Sequence, residues 1–209
     1  MDAVDSAPDG DSSGTSRPGV GGTDDRSLVA AAQSGDRAAL DTLLRRHYDR
    51  VTNICRRILH NDADAADATQ DALIAAVRGL GRFDGNAAFS TWLYRIATNT
   101  CLDQLRRRKR RPTAPLEQLL NVGGLLETRP FDATVVDQMA VQHALERMPD
   151  DFRVAVVLRD VADLDYADIA DTLGVPIGTV RSRIARGRAW LAKELGNQTG
   201  PADRQTDHP

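Results

Sequence analysis

Residues 89–111, FSTWLYRIATNTCLDQLRRRKRR, carry two chemistries on one rod. Trp92 and Tyr94 offer flat faces on which nucleotide bases stack. Arg106, Arg107, Arg108, Lys109, Arg110 and Arg111 offer charge to a phosphate backbone. The combination points to nucleic acid, with opened strands as a candidate form. A second cationic cluster follows downstream: Arg181, Arg183, Arg186, Arg188 and Lys193. The formal net charge of −3 over 209 residues argues, as an average, against a DNA-binding protein. The average hides segregation. The first 25 residues hold Asp2, Asp5, Asp9, Asp11, Asp24 and Asp25 against Arg17, whereas 105–111 holds cations and no anion. Local sign asymmetry decides which face attracts a polyanion.

These groups need elements to position them, and apolar residues recur at helical rather than alternating spacing, so the chain reads as all-α. Residues 1–24 are rich in Asp, Ser, Gly and Pro and are expected to be a disordered acidic tail. From Asp25 a helical pattern runs through Leu28, Val29, Leu40, Leu43, Tyr48, Val51, Ile54, Cys55 and Ile58, broken at Gly35-Asp36 and ending at Asn61-Asp62. A third helix, about 63–80, is expected to turn Ala68, Leu73, Ile74, Val77 and Leu80 inward. Gly81, Asp84, Gly85 and Asn86 mark a loop, and the aromatic–basic segment forms a fourth helix over about 87–109. In it Phe89, Leu93, Ile96 and Thr100 make the inward stripe. Trp92 borders that stripe, so core packing and strand contact both stay open for it, as they do for Tyr94. Pro112 and Pro115 stop the helix, and 112–136 reads as a linker. A second domain spans about 137–195, and 196–209 reads as a disordered tail.

Within the second domain the spacing is specific. Gly174 follows Leu173 where a helix end calls for a left-handed residue, and Pro176 suits the first turn of the next helix. Ala170 is small enough for a close helix crossing, and Ile169, Val175, Val180, Ile184 and Leu191 make a small core with Trp190 beside it. Arg181, Ser182, Ala185 and Arg186 fall on the opposite face. This is the layout of a helix-turn-helix whose second helix enters the major groove. Arg186 suits a bidentate contact to guanine, and Thr179 and Arg183 suit phosphates.

Three motifs in order, DADAADATQDALIAA, FDGNAAFSTWLYRIATNTCLDQLRRRKRR and LERMPDDFRVAVVLRDVADLDYADIADTLGVPIGTVRSRIARGRAWL, resemble the sigma-70 family of transcription initiation factors, extracytoplasmic-function type. ATNTCLDQLRRRKRRPTAPLE is similar to the actinobacterial SigM-type group. The resemblance implies two small helical domains, sigma region 2 at 25–111 and sigma region 4 at 137–195, joined by a flexible linker. It implies that Asp64, Asp67, Gln70 and Asp71 dock on the beta-prime clamp helices of core RNA polymerase. It implies that the loop Phe83–Ala88 and the helix after it bind the −10 element. There Phe83, Asn86 and Ala87 pocket a flipped base of the non-template strand, with Trp92, Asn99, Arg106, Arg107, Arg108, Lys109 and Arg110 on the same DNA. The helix-turn-helix, through Thr179, Arg181, Ser182, Arg183, Ala185 and Arg186, would read the −35 element as duplex. An anti-sigma protein is a further implied partner, and a stress-response regulon the implied output.

Rival readings fit less of the chain. A stand-alone helix-turn-helix repressor leaves the acidic and aromatic–basic helices unexplained. An enzyme lacks a Ser/His/Asp set, a metal cluster or a phosphate loop, since GVGG at 19–22 has no strand before it. No cofactor is expected. Cys55 and Cys101 are expected in the core, and His47, Cys55 and His60 lack ligand spacing. No signal peptide or apolar run of about 20 residues appears, so a cytoplasmic protein without membrane insertion is expected.

Overall fold

The computed structural model describes residues 24–110 and 133–198, and among these every regular element is helical. The expected tails, Arg111 and most of the expected linker lie outside the described residues. The first half comprises α1 (Asp25–Gln33), α2 (Arg37–Leu59), α3 (Asp62–Gly79), a 3₁₀ turn (Leu80–Arg82) and α4 (Phe89–Arg110). The second comprises α5 (Ala133–Arg147), α6 (Asp150–Val156) running into a π turn (Val157–Val161), α7 (Tyr166–Leu173) and α8 (Ile177–Gln198). α5 begins ahead of the domain start expected near 137. Nothing after Pro130 breaks a helix, and ATVV extends it backward. α8 likewise runs past Gly196, because one glycine in an exposed last turn weakens a helix without ending it.

Local chemistry sets the boundaries. Gly35 takes φ 100° between α1 and α2, and the Asp36 carboxylate then accepts from Ala38 N and Ala39 N at 2.8 and 3.1 Å. Asn61 caps α3 through Asp64 N, and Asp165 caps α7 through Asp168 N. α2 ends on His60, a left-handed residue at φ 57°. Gly174 ends α7 at φ 63°, as its position predicts, while Pro176 sits one place before α8 and its carbonyl accepts from Thr179 N and Val180 N.

α3 packs between α2 and α4. Its buried stripe is Ala65, Ala68, Thr69, Ala72 and Ala76. The expectation that Ile74 and Val77 turn inward is therefore wrong: they are 40% and 43% exposed, and Leu73 is half-buried. Helices that approach closely on two sides favour the face with the smallest side chains, and the branched residues are left outside. Tyr48, placed in the inward pattern of α2, is also exposed, and His47 is buried instead. On α4 the buried residues are Phe89, Thr91, Leu93, Tyr94, Ala97, Thr98 and Cys101, with Ile96 and Thr100 half-buried. Cys55 and Cys101 are both buried. Their shared hydrogen bond, with burial, pushes the Cys101 thiol up, and the same bond pulls the Cys55 thiol down.

The two halves do not stand apart: their buried apolar residues form one continuous cluster. At the seam Arg153 of α6, 3% exposed, donates from Nε to Ile58 O (3.1 Å), from Nη1 to Met148 O (2.8 Å) and from Nη2 to Asp150 Oδ1 (2.6 Å). Lys109 of α4 reaches the other Asp150 oxygen at 2.8 Å, and Arg50 donates to Val161 O. Burial alone would raise the Asp150 carboxyl. The Lys109 hydrogen bond and the Arg153 charge outweigh it and hold the group below the usual carboxylate range.

Candidate nucleic-acid interface

The loop between the 3₁₀ turn and α4 is preorganised by its own residues. Asp84 accepts from Asn86 N (3.1 Å) and Asn86 Nδ2 (2.6 Å), an Asx-type turn that Gly85 permits with φ 76°. At the base of the loop Phe83, Phe89 and Trp92 form an aromatic cluster with centroids 5.1–5.9 Å apart, Phe83 edge-on to Phe89 and Trp92 tilted against both. Phe83 and Ala87 are half-buried and Asn86 is exposed. A cavity of about 490 Å³ opens beside the loop, walled by Phe83, Asn86, Ala87 and Phe89 on one side and by α1 on the other. The three loop residues picked from sequence thus meet at one cavity.

The opposite wall was not legible in the sequence. Val29, Ala30 and Gln33 of α1 line it, and Gln33 Nε2 donates to Leu80 O (2.9 Å) and Phe83 O (2.8 Å). Asp25 lies at the same cavity, with His47 Nε2 2.8 Å from one carboxylate oxygen and Arg46 on the other. His47 Nδ1 is 3.3 Å from the Tyr94 hydroxyl, and its ring is 5.4 Å from that of Phe89. Tyr94 is therefore a core residue and offers no stacking face to a base, which decides the alternative left open by the sequence: one helix cannot turn both Trp92 and Tyr94 to the same strand. Burial pushes the Tyr94 hydroxyl up, so it stays neutral. Trp92 is half-buried in the aromatic cluster, with its indole 3.2 Å from where a Cβ on Gly79 would stand. Packing is the contact that the structure gives it.

The basic end of α4 is exposed, and much of its charge is already engaged. Arg106 pairs with Asp103, Arg108 with Asp64 and with Leu59 O, and Lys109 with Asp150. Arg107 lines a shallow cavity of about 500 Å³ between α3 and α4, and Arg110 bonds the Arg106 carbonyl. Asn99 is exposed on the same helix. On α3, Asp67, Gln70 and Asp71 share an exposed face, and Ile74 and Val77 extend it with apolar surface. Asp64 is only half exposed and is tied to Arg108. An acidic face with an apolar patch at its edge suits a partner helix carrying arginines beside aliphatic residues.

In the helix-turn-helix, Ile169, Ala170, Val180 and Ile184 are buried, while Val175, Trp190 and Leu191 are half-buried. Arg181, Ser182, Ala185 and Arg186 are exposed along α8. Thr179 and Arg183 are half-buried, and Arg183 pairs with Asp151 at 2.8 Å. α8 crosses α6 at Gly187, where an added Cβ would stand 2.4 Å from Val156 Cγ2. Nothing in the helical period of α8 marked that glycine as a crossing point. Among the described residues no group of His, Cys, Asp or Glu could hold a metal ion, and no helix is long and apolar enough to cross a membrane.

Residues 43–111 match the family Sigma-70 region 2, and residues 138–191 match Sigma-70, region 4. The ECF RNA polymerase sigma factor SigM of Mycobacterium tuberculosis is 47% identical over 181 residues, covering 85% of this chain and 89% of its own. The ECF RNA polymerase sigma factor SigW of Bacillus subtilis is 34% identical over 178 residues, covering 80% and 94%. Among solved structures, CnrH in complex with the cytosolic domain of CnrY superposes with a TM-score of 0.62 at 26% identity, over 84% of this chain and 99% of that one. With region 2 and region 4 both matched, in the order that their motifs run in the sequence, the chain belongs to the extracytoplasmic-function sigma factors of the sigma-70 family, which are transcription initiation factors and not enzymes.

Proposed function

We propose that the first half, about 25–111, opens the promoter and the second, about 137–195, anchors it, with core polymerase docked on α3. The cavity beside the 83–88 loop carries this reading. It is a recess with an aromatic floor, Asn86 at its rim and a basic helix leading away. A base out of its stack needs a flat face and a few polar partners, and its strand needs cations to follow. Phe83, Asn86 and Ala87 form that recess, Trp92 supports its floor, and Asn99 with Arg106, Arg107, Arg108, Lys109 and Arg110 track the strand. Asp64, Asp67, Gln70 and Asp71 hold core polymerase at its beta-prime clamp helices. Thr179, Arg181, Ser182, Arg183, Ala185 and Arg186 meet duplex at −35. The factor works in the cytoplasm, serves a stress-response regulon and answers to an anti-sigma partner.

The test is in vitro transcription with core enzyme and a promoter taken from transcripts that rise on overexpression of the chain. Promoter-specific initiation that fails with Asp71→Arg, while the variant keeps its thermal transition, is the expected result. Absence of specific initiation by the unaltered chain refutes the reading.

A further inference from the structure

We infer that Gln33, on a helix outside the stretch matched to region 2, is a positioning residue that fastens the strand-capturing loop; this rests on the reading of 83–88 just proposed. The loop is held internally by the Asp84–Asn86 turn, which sets its shape but not its place on the domain. At its origin, Phe83 N bonds back to Leu80 O at 3.0 Å. The Gln33 amide then ties Leu80 O and Phe83 O to α1, across 47 and 50 residues of chain. Phe83 is at once the residue whose carbonyl Gln33 holds and the residue whose ring meets Phe89 and Trp92. One side chain therefore fixes both the backbone of the loop and one aromatic wall of the cavity. Val29 and Ala30, one turn back on α1, face the same space, so the distance between α1 and the loop sets its width. Loss of the Gln33 donors frees the loop from that wall and leaves its internal turn intact. Residues 43–111 carry the match to region 2, and α1 precedes them.

The experiment uses holoenzyme assembled from the full chain and core polymerase. The probes are a fork template with a single-stranded −10 segment, a duplex carrying only the −35 element, and core enzyme. Gln33→Leu keeps the side-chain volume and removes both donors. Its fork affinity is expected to fall about tenfold, the scale of two neutral hydrogen bonds. Affinities for the −35 duplex and for core, and the melting temperature, are expected to hold. Gln33→Lys, whose ammonium can donate to the same two carbonyls, is expected to recover most of the loss. Unchanged fork affinity in Gln33→Leu overturns the inference. So does a parallel fall in core affinity and melting temperature, which marks a merely structural residue. A wild-type holoenzyme with no preference for the fork over a fully paired template overturns the reading of the loop itself, and the inference with it.

Discussion

Arg153 bonds the C-terminal ends of two helices. α2 stops at Leu59, so Ile58 O is one of the carbonyls its helix leaves without a partner, and Met148 O lies just past the end of α5. A single guanidinium serves both and pairs with Asp150. The perturbation is Arg153→Met, which keeps the aliphatic stem. Two effects oppose each other. Removing a buried cation relieves desolvation, which is strong enough to pull the Arg153 guanidinium below its usual range. Against that, two carbonyls lose their donor, each costing about 1–3 kcal/mol if it stays buried, and the favourable cation at a helix C-terminus is lost. The second effect wins because the partners stay behind: breaking a buried pair from one side typically costs roughly 3–5 kcal/mol. Asp150 softens this, since Lys109 still holds it, so about 3 kcal/mol is expected. In a chain of this size that lowers the melting temperature by roughly 6–12 °C. Hydrogen exchange should localise the loss to the last turns of α2 and α5. Arg153→Lys should fall between, because a point charge cannot fork to three acceptors. A melting temperature within about 2 °C of the parent, with unchanged protection at both helix ends, would refute the reasoning.

Gly187→Ala should destabilise the helix-turn-helix despite alanine's advantage in helices of roughly 1 kcal/mol. The new methyl would meet the buried, β-branched Val156, which is stiff at χ1, and overpacking of this kind costs about 1–3 kcal/mol; a rise in melting temperature would contradict it. His60 gives an acid sensitivity. Its ring nitrogens are buried without partners among the described residues, and burial, with the Arg153 and Arg108 charges opposed by Asp150, pulls its pKa to about 3. The unfolded chain takes up that proton near pH 6.5, so stability is fullest above about 6.5 and falls toward 3, by at most ~1.4 kcal/mol per pH unit. His60→Asn, which tolerates the left-handed backbone, should flatten urea midpoints across that window, and an unchanged slope would exclude His60 as the cause. Arg186→Ala should weaken −35 binding by about 1–3 kcal/mol in a duplex titration and leave core affinity intact, whereas loss of core affinity would show that α8 faces the polymerase.

The order of helices, several of their ends and the exposed arginine face of α8 followed from sequence alone. Periodicity of three and four, Asn61 and Asp165 at helix starts and Gly174 at a helix end act within a few residues of themselves, so the chain writes them locally. The exposed Asp67–Gln70–Asp71 face and the Arg181–Arg186 face were legible for the same reason. What sequence could not rank is two apolar faces on one helix. α3 carries both an alanine stripe and Leu73, Ile74 and Val77, and only the close approach of α2 and α4 chose the small one. Sequence left Tyr94 open between core and strand until His47 of α2, itself held by Asp25 of α1, met its hydroxyl. Gln33 had no local signature either, because its partners lie 47 and 50 residues away, and the bond that carries Arg153 across the seam to Ile58 O spans 95. Sequence alone determined which acidic and basic groups the helices expose. Tertiary packing decided which of them face a common cavity and which are spent joining the two halves, since hydrogen bonds over such separations depend on helix placement that no short window encodes.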